Sequence, residues 1–287
     1  MTTALARADQ VTRLFGEHRA VQDVSLTVHA GEIVGLVGAN GAGKTTLIRM
    51  LMGLARPTTG SVRLFGRRPD RSARARLGYV PQGLGLWTDL TVHENVTFAA
   101  TAYRAPAAPL TGALAQAADR PVGRIGLGLQ RQLAFAIAMA HEPELLVLDE
   151  PTSGVDPLSR ARLWDTIHSQ AETGVGVLVS THYLQEAQQC DQLVVMSHGR
   201  TAAAGTESEI VGATTAVNVS TPSWAEAFTA LDEAGFTVTL AGRDLRVAGA
   251  TTARVAAALD TAGTTATIRE VPATLEEVMT MMVRSPE

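Results

Sequence analysis

Three short apolar runs, Ile33 to Val37, Leu145 to Leu148 and Val175 to Val179, punctuate the chain at wide intervals. Such runs, without polar alternation, mark strands buried on both faces, as in a parallel sheet flanked by helices. Each breaks off into polar residues: Gly38 to Thr46 after the first, Asp149-Glu150 after the second, Ser180-Thr181-His182 after the third. Ligands of open α/β sheets collect at the carboxyl ends of the strands. The pattern therefore predicts one site assembled from three separated stretches.

Other elements fall between these runs. Leu5 to Val28 alternates in short strand-like pieces, with a turn at Phe15-Gly16-Glu17-His18. From the residues alone Phe15 reads as an ordinary core aromatic. Ser61 to Gly66 and Leu77 to Gln82 read as strands, and Pro81 stops the second so that Gln82 stands exposed at its end. Helical stretches are predicted at Leu47 to Leu54, Thr91 to Tyr103 (Val92, Val96 and Ala99 on one face), Gly128 to Glu142 and Leu158 to Glu172. Pro157 is suited to open the last of these. Ala105 to Arg120 is rich in alanine and proline and carries little patterning.

A second unit is predicted after residue 212. Strand Thr215 to Val219, helix Ser223 to Ala234, strands Phe236 to Leu240 and Leu245 to Val247, helix Thr251 to Ala262 and strand Thr265 to Val271 follow in order. This βαββαβ order is that of a ferredoxin-like α+β domain, and a last helix runs from Thr274 to Met282. Trp224, Phe228 and Leu231 are spaced to face the sheet, and Met279, Met281 and Met282 read as core filling. The expected division is a first domain over residues 1–212, with a helical subdomain at about 83–142, and an accessory domain over 213–287.

Composition narrows the class. The 287 residues are 46% hydrophobic, enough for a sizeable core. A net charge of −4 argues against a general nucleic-acid binder. Arginines crowd Arg63 to Arg76 and read as a solvated basic face. The single cysteine, Cys190, excludes an internal disulfide framework and fits a reducing compartment. Met1 to Gln10 lacks the apolar core of a secretory signal. No window approaches the ~18 apolar residues of a membrane span, so any membrane part must come from another polypeptide.

The stretch Gly38-Ala39-Asn40-Gly41-Ala42-Gly43-Lys44-Thr45-Thr46 is a P-loop in its strand–loop–helix context. Its glycines let successive backbone N–H groups turn towards phosphate oxygens, and the following helix adds its positive end. Lys44 reaches the β- and γ-phosphates, and the Thr45 hydroxyl ligands Mg²⁺. Asp149, ending an apolar strand, holds the same ion; a buried carboxylate there needs a partner. Glu150 is placed to polarise an attacking water as general base, and His182 to hydrogen-bond the γ-phosphate.

Taken in order, Phe15, the P-loop, Tyr79-Val80-Pro81-Gln82, a glycine segment opening a helix, Leu145 to Pro151, Ser153 to Asp156 and Ser180-Thr181-His182 resemble an ABC-transporter ATPase subunit over roughly residues 5 to 210. The resemblance implies an α/β P-loop core with an antiparallel β subdomain and a short helical subdomain. It implies that Phe15 stacks on adenine, that Gln82 lies near Mg²⁺, that Asp156 sits at a dimer contact, and that His182 is the switch histidine. The C-terminal tail is similar to that of the drug- and antibiotic-export subfamily, whose permease is a separate chain.

Two departures stand out. The family's Leu-Ser-Gly-Gly signature is replaced by Ile125-Gly126-Leu127-Gly128, without the serine hydroxyl and with leucine for a glycine. One charge-assisted hydrogen bond lost to a partner's γ-phosphate costs roughly 1.5–3 kcal/mol. Leu127 is expected to add steric exclusion or a disfavoured positive φ. This favours a heterodimer with an intact-signature partner over a homodimer. The second departure is the shortened stretch from Gln82 to Ile125, which normally receives the permease. The expected function is an ATP- and Mg²⁺-dependent ATPase on the cytoplasmic face of a membrane, driving a separate export permease. A soluble regulatory ABC protein using ATP as a clamp is the alternative, and a P-loop kinase lacks support because Glu150 and His182 suit water activation.

Overall fold

The computed structural model describes residues 4–284. It forms two compact units that part between Ala204 and Gly205. The first contains β1 (Ala4–Phe15), β2 (His18–His29), β3 (Ile33–Val37), α1 (Lys44–Leu51), β4 (Thr59–Leu64), α2 (Arg71–Arg74) and β5 (Leu77–Val80). Then come α3 (Val92–Tyr103), α4 (Gly112–Gln116), α5 (Leu127–Met139), β6 (Leu145–Asp149), α6 (Pro157–Glu172), β7 (Gly176–Thr181), α7 (Leu184–Ala187), β8 (Gln192–Ser197) and β9 (Arg200–Gly205).

The predicted apolar strands form the middle of a six-stranded sheet ordered β5-β6-β7-β3-β8-β9, with β5, β6, β7, β3 and β8 mutually parallel. Every residue of β3, β6 and β7 is buried, as continuous apolar runs between helical layers require. Because β6, β7 and β3 are neighbours, their three polar ends lie side by side. The register sets Val37 beside Thr181 and Asp149 beside Ser180.

A separate antiparallel sheet, β2-β1-β4, packs through Val11, Val21 and Val24 onto the layer holding Leu47 and Ile48 of α1. On the opposite face Phe135 of α5 and Trp164 and Ile167 of α6 pack with Leu146 and Val179. The helical subdomain has its own core, where Val92 and Val96 meet Leu114, Val122 and Leu133. The weakly patterned stretch 105–120 is thus packed: Ala108, Leu114 and Ala117 are buried, and small residues did not advertise it. Asn95, rather than Ala99, completes the buried face of α3, donating to the carbonyls of Trp87 and Thr91 and accepting from the Trp87 N–H.

The second unit opens earlier than residue 212. A capping box at Thr206 and Glu209 starts α8 (Glu207–Val211), which packs against the last helix, α11 (Leu275–Arg284). Between them lie β10 (Thr215–Ser220), α9 (Trp224–Glu233), β11 (Val238–Ala241), β12 (Asp244–Ala248), α10 (Thr252–Thr261) and β13 (Thr267–Pro272). The strand order β11-β12-β10-β13, all antiparallel, is the split-βαβ arrangement of a ferredoxin-like unit. Ala227 and Leu231 of α9 are buried against it, whereas Trp224 is 49% exposed, correcting the expectation that it faces the sheet. Trp224 opens its helix, so its ring lies outside the packed face. On the other sheet face Arg246 pairs with Glu277 of α11. Burial pushes the Glu277 carboxyl up, but bonds from Arg246 and Thr274 outweigh it and hold it below its ordinary value. Met279 is buried, and the Met281 methyl fills the space where a Gly249 side chain would stand.

Candidate functional site: a phosphate loop facing two carboxylates

The P-loop backbone turns through left-handed conformations that only glycine adopts freely, φ +83° at Gly41 and +100° at Gly43. A Cβ on Gly43 would sit 2.4 Å from the Ala20 carbonyl oxygen, and one on Gly38 2.4 Å from that of Met196. The loop is thus pressed against β2 and β8 from behind. Lys44 folds back across it, donating to the carbonyls of Gly38 (2.7 Å) and Ala39 (3.1 Å), and is 4% exposed. The exposed Asn40 and Gly41 and the buried Ala42 complete the turn, and Thr46 continues into α1.

Glu150 is where the three strand ends meet. Its carboxylate lies 3.4 Å from Lys44 Nζ and 3.4 Å from His182 Nδ1, and it accepts a 3.3 Å hydrogen bond from Gln82 Nε2. Asp149 accepts from the Thr45 hydroxyl at 2.9 Å and from the Ser180 hydroxyl. The site residues predicted on β3, β5, β6 and β7 are therefore in direct contact. Glu150 holds φ +50°, unfavourable for a side chain of its size, with its N–H bonded to Ser180 at both the hydroxyl and the carbonyl. Strained backbone of this kind persists where surrounding contacts over-determine it.

Three residues that support the site carried no role in the sequence reading: Ser180, Arg131 and Glu186. Ser180 bridges Asp149 and Glu150, and lay inside a quoted motif without a role. Arg131, buried in α5, donates to the carbonyls of Glu150, Pro151 and Ser153; burial lowers its pKa. A charge in an otherwise apolar helix face was the available signal. Glu186, 2% exposed, accepts from Thr152 and Thr181 and lies 3.6 Å from Arg160. It sits on α7, and no local pattern marked it.

Phe15 is 51% exposed with Arg13 stacked 4.5 Å above its ring, so it is not a core aromatic and its free face is open. Gln82 is exposed at its strand end, as expected, while its amide reaches Glu150. Asp156 caps α6 by accepting from the Ser159 N–H; hydrogen bonding from the Ser159 side chain first, and then from its N–H, holds the carboxyl below the ordinary value. Gly126 is the N-cap of α5, with no side-chain cap, and Leu127 is the first helical residue. Its backbone is ordinary helix, so the anticipated positive-φ penalty does not arise; its bulk remains, 44% exposed. The Tyr79 phenol is pushed up to about 12 by burial and then by the Asp149 charge.

The Thr45 hydroxyl, the Asp149 carboxylate and the Gln82 amide are hard oxygen donors from three elements. Such a set suits Mg²⁺, which takes one or two carboxylates and fills its shell with water and phosphate oxygens. Among the described residues no cluster of three or more His, Cys, Asp or Glu offers a cage for a softer metal.

The family model described as ABC transporter matches residues 21–153, from β2 through Asp149 and Glu150. A Nod factor export ATP-binding protein I of Paraburkholderia xenovorans (strain LB400) is 39% identical over 224 residues, 74% of this chain and 74% of that protein. The chain belongs to the ABC transporter ATP-binding family. A probable multidrug ABC transporter ATP-binding protein, YbhF of Escherichia coli (strain K12), is 38% identical over 215 residues, 71% of this chain. That match spans only 37% of the length of YbhF. Among solved structures, an ATP-binding subunit of an ABC transporter superposes with a TM-score of 0.64 at 30% identity, covering 72% of this chain and 91% of that one. In ABC terms the loop before α1 is the Walker A motif and the end of β6 the Walker B motif.

Proposed function

We propose that the chain binds ATP with Mg²⁺ and hydrolyses it to drive a separate membrane permease. The observation that carries this reading is the convergence of Lys44, Gln82 and His182 on the Glu150 carboxylate. Bound at Thr45, Gln82 and Asp149, Mg²⁺ would neutralise phosphate charge and orient the β- and γ-phosphates. Lys44, which now bonds loop carbonyls, would exchange them for phosphate oxygens. Glu150 would then accept a proton from the attacking water, and His182 would donate to the γ-phosphate. Phe15, with one face free, would stack on adenine.

The names of the relatives, a probable multidrug transporter protein and a Nod factor export protein, support an exporter. No described helix is long and apolar enough to cross a membrane. We place the chain peripherally on the cytoplasmic face, beside a permease supplied by another chain. Gly126 and Leu127 support a heterodimer, in which a partner with an intact signature completes the site on this chain's Walker A loop. We assign residues up to Ala204 to the nucleotide-binding domain and the remainder to an accessory domain. Purification from membranes with any associated permease, then ATPase assays of the chain alone and in complex, tests the reading. Hydrolysis that rises on adding the permease is expected; a chain that binds ATP but copurifies only with soluble proteins would count against it.

A further inference from the structure

Seven of the chain's 24 Lys and Arg stand between residues 56 and 76, with Asp70 as the only acid among them. The rest of the chain carries 17 cations against 27 acids. This segment is therefore a local reversal of an otherwise acidic molecule. Among the described residues only Arg76 of these seven has a carboxylate partner, Glu144 at 2.6 Å. Arg63 and Arg74 reach backbone carbonyls, of Gly66 and Met52, which leave their charge intact. The guanidinium groups of Arg56, Arg67, Arg68 and Arg71 make no hydrogen bond or ion pair with the described residues. Asp70 forms no ion pair with them among the described residues; its carboxylate accepts from the Ala73 N–H and caps α2, so one negative charge stands against seven positive ones.

Three of these side chains, Arg56, Arg63 and Arg68, line a cleft of 680 Å³ together with Pro57 and Pro69, with no carboxylate in its wall. Guanidinium forks match phosphate oxygens bidentately. Beside Arg56 stands Leu54, 60% exposed at the end of the same turn. Phe65, the one aromatic in the segment, is half-buried with Arg76 packed 3.9 Å over its ring, so it provides no stacking platform for bases. Nor does the segment offer the aromatic anchors of a protein interface core. We propose that this arginine face binds the phosphate headgroups of an anionic lipid bilayer, with Leu54 meeting the interface. The face is distinct from the nucleotide site. It extends the membrane placement proposed above to a direct lipid contact, and its test does not depend on hydrolysis.

The test is sedimentation of the full purified chain with vesicles of phosphatidylcholine alone, or of phosphatidylcholine with one part in three phosphatidylglycerol. Binding to the anionic vesicles alone, weakened by added salt, is expected. Replacing Arg56, Arg67, Arg68 and Arg71 with Gln should lower vesicle affinity at least about tenfold, since each basic residue near an anionic surface adds to the attraction. Replacing the same four with Lys keeps the charge but not the forks, and should lower it less than Gln does. ATPase activity without vesicles should be the same in all three proteins, which separates this proposal from the function of the site. Equal sedimentation with neutral vesicles, undiminished binding by the Gln protein, or salt-sensitive binding to RNA but not to vesicles would each overturn the proposal.

Discussion

Lys44 Nζ and Glu150 Oε1 lie 3.4 Å apart across the site, the lysine 4% and the glutamate 8% exposed at their side chains. The same lysine bonds two carbonyls of its loop, so its binding role does not depend on the carboxylate. Glu150→Gln keeps the shape and removes the base. ATP turnover should fall by about 10²–10⁴-fold, the usual worth of a positioned base. ATP affinity, measured by equilibrium binding, should stay within a few-fold. Unchanged turnover would remove Glu150 as the base.

Two loop glycines separate conformational strain from collision. Gly43→Ala combines φ +100° with a Cβ 2.4 Å from the Ala20 carbonyl, whereas Gly41→Ala keeps φ +83° with nothing within 4 Å. Gly41→Ala should cost roughly 1 kcal/mol, the ordinary left-handed penalty. Gly43→Ala must also shift β2 or the loop, and should abolish the thermal stabilisation that ATP confers. Melting curves of the two variants with and without ATP check the contrast.

How much of this was legible in the sequence follows from how local each signal is. The buried strands, the Walker A loop and the acids after β6 are written in contiguous residues, and sheet order alone brings them together. The residues around Phe15 point to a core position, because an aromatic ending a strand is ordinarily core; only its 51% exposure shows otherwise. Arg131 acts on the Pro151 carbonyl, 20 residues away, and Glu186 on the Thr152 hydroxyl, 34 residues away, so no local spacing encodes them. Stretch 105–120 hid its packing because alanine fills a helical core without producing periodicity.

Cys190 should be inert. Its thiol is pushed up to about 12, first by burial and then by the charges of Asp191 and Glu186, and it packs over Gly35. Because the folded value lies above the unfolded one, this group's contribution to stability is fully present below about pH 9 and is lost as pH rises towards 12. At pH 8 its alkylation should be roughly a thousandfold slower in the native chain than after denaturation. Fast native alkylation would contradict the burial.

Arg131 holds the Glu150 loop from α5, the helix that begins at the degenerate signature. Arg131→Met removes the donors to three carbonyls and should destabilise the protein by about 1–3 kcal/mol. Since the contact is to the Glu150 backbone, kcat should fall more than ATP affinity. Arg131→Lys should restore stability partly and kcat less, because one ammonium cannot span the same carbonyls. An equal loss of binding and turnover would indicate a purely structural role.

The signature segment itself is open to repair. A Cβ on Gly126 meets nothing within 4 Å, and Gly126 already stands at the N-cap of α5 with no side-chain acceptor. Gly126→Ser therefore adds a cap and supplies the missing hydroxyl without strain, for a stability gain of a few tenths of a kcal/mol. Leu127→Gly removes an exposed side chain at the first turn, where glycine does little harm. If the weak signature limits the isolated chain, the double variant should hydrolyse ATP faster by one to two decades, the roughly 1.5–3 kcal/mol of one recovered charge-assisted hydrogen bond. The gain should be smaller in complex with an intact-signature partner, because the site on this chain's own Walker A loop already draws its signature from that partner. An isolated wild-type chain as active as the double variant would remove the basis for a heterodimer.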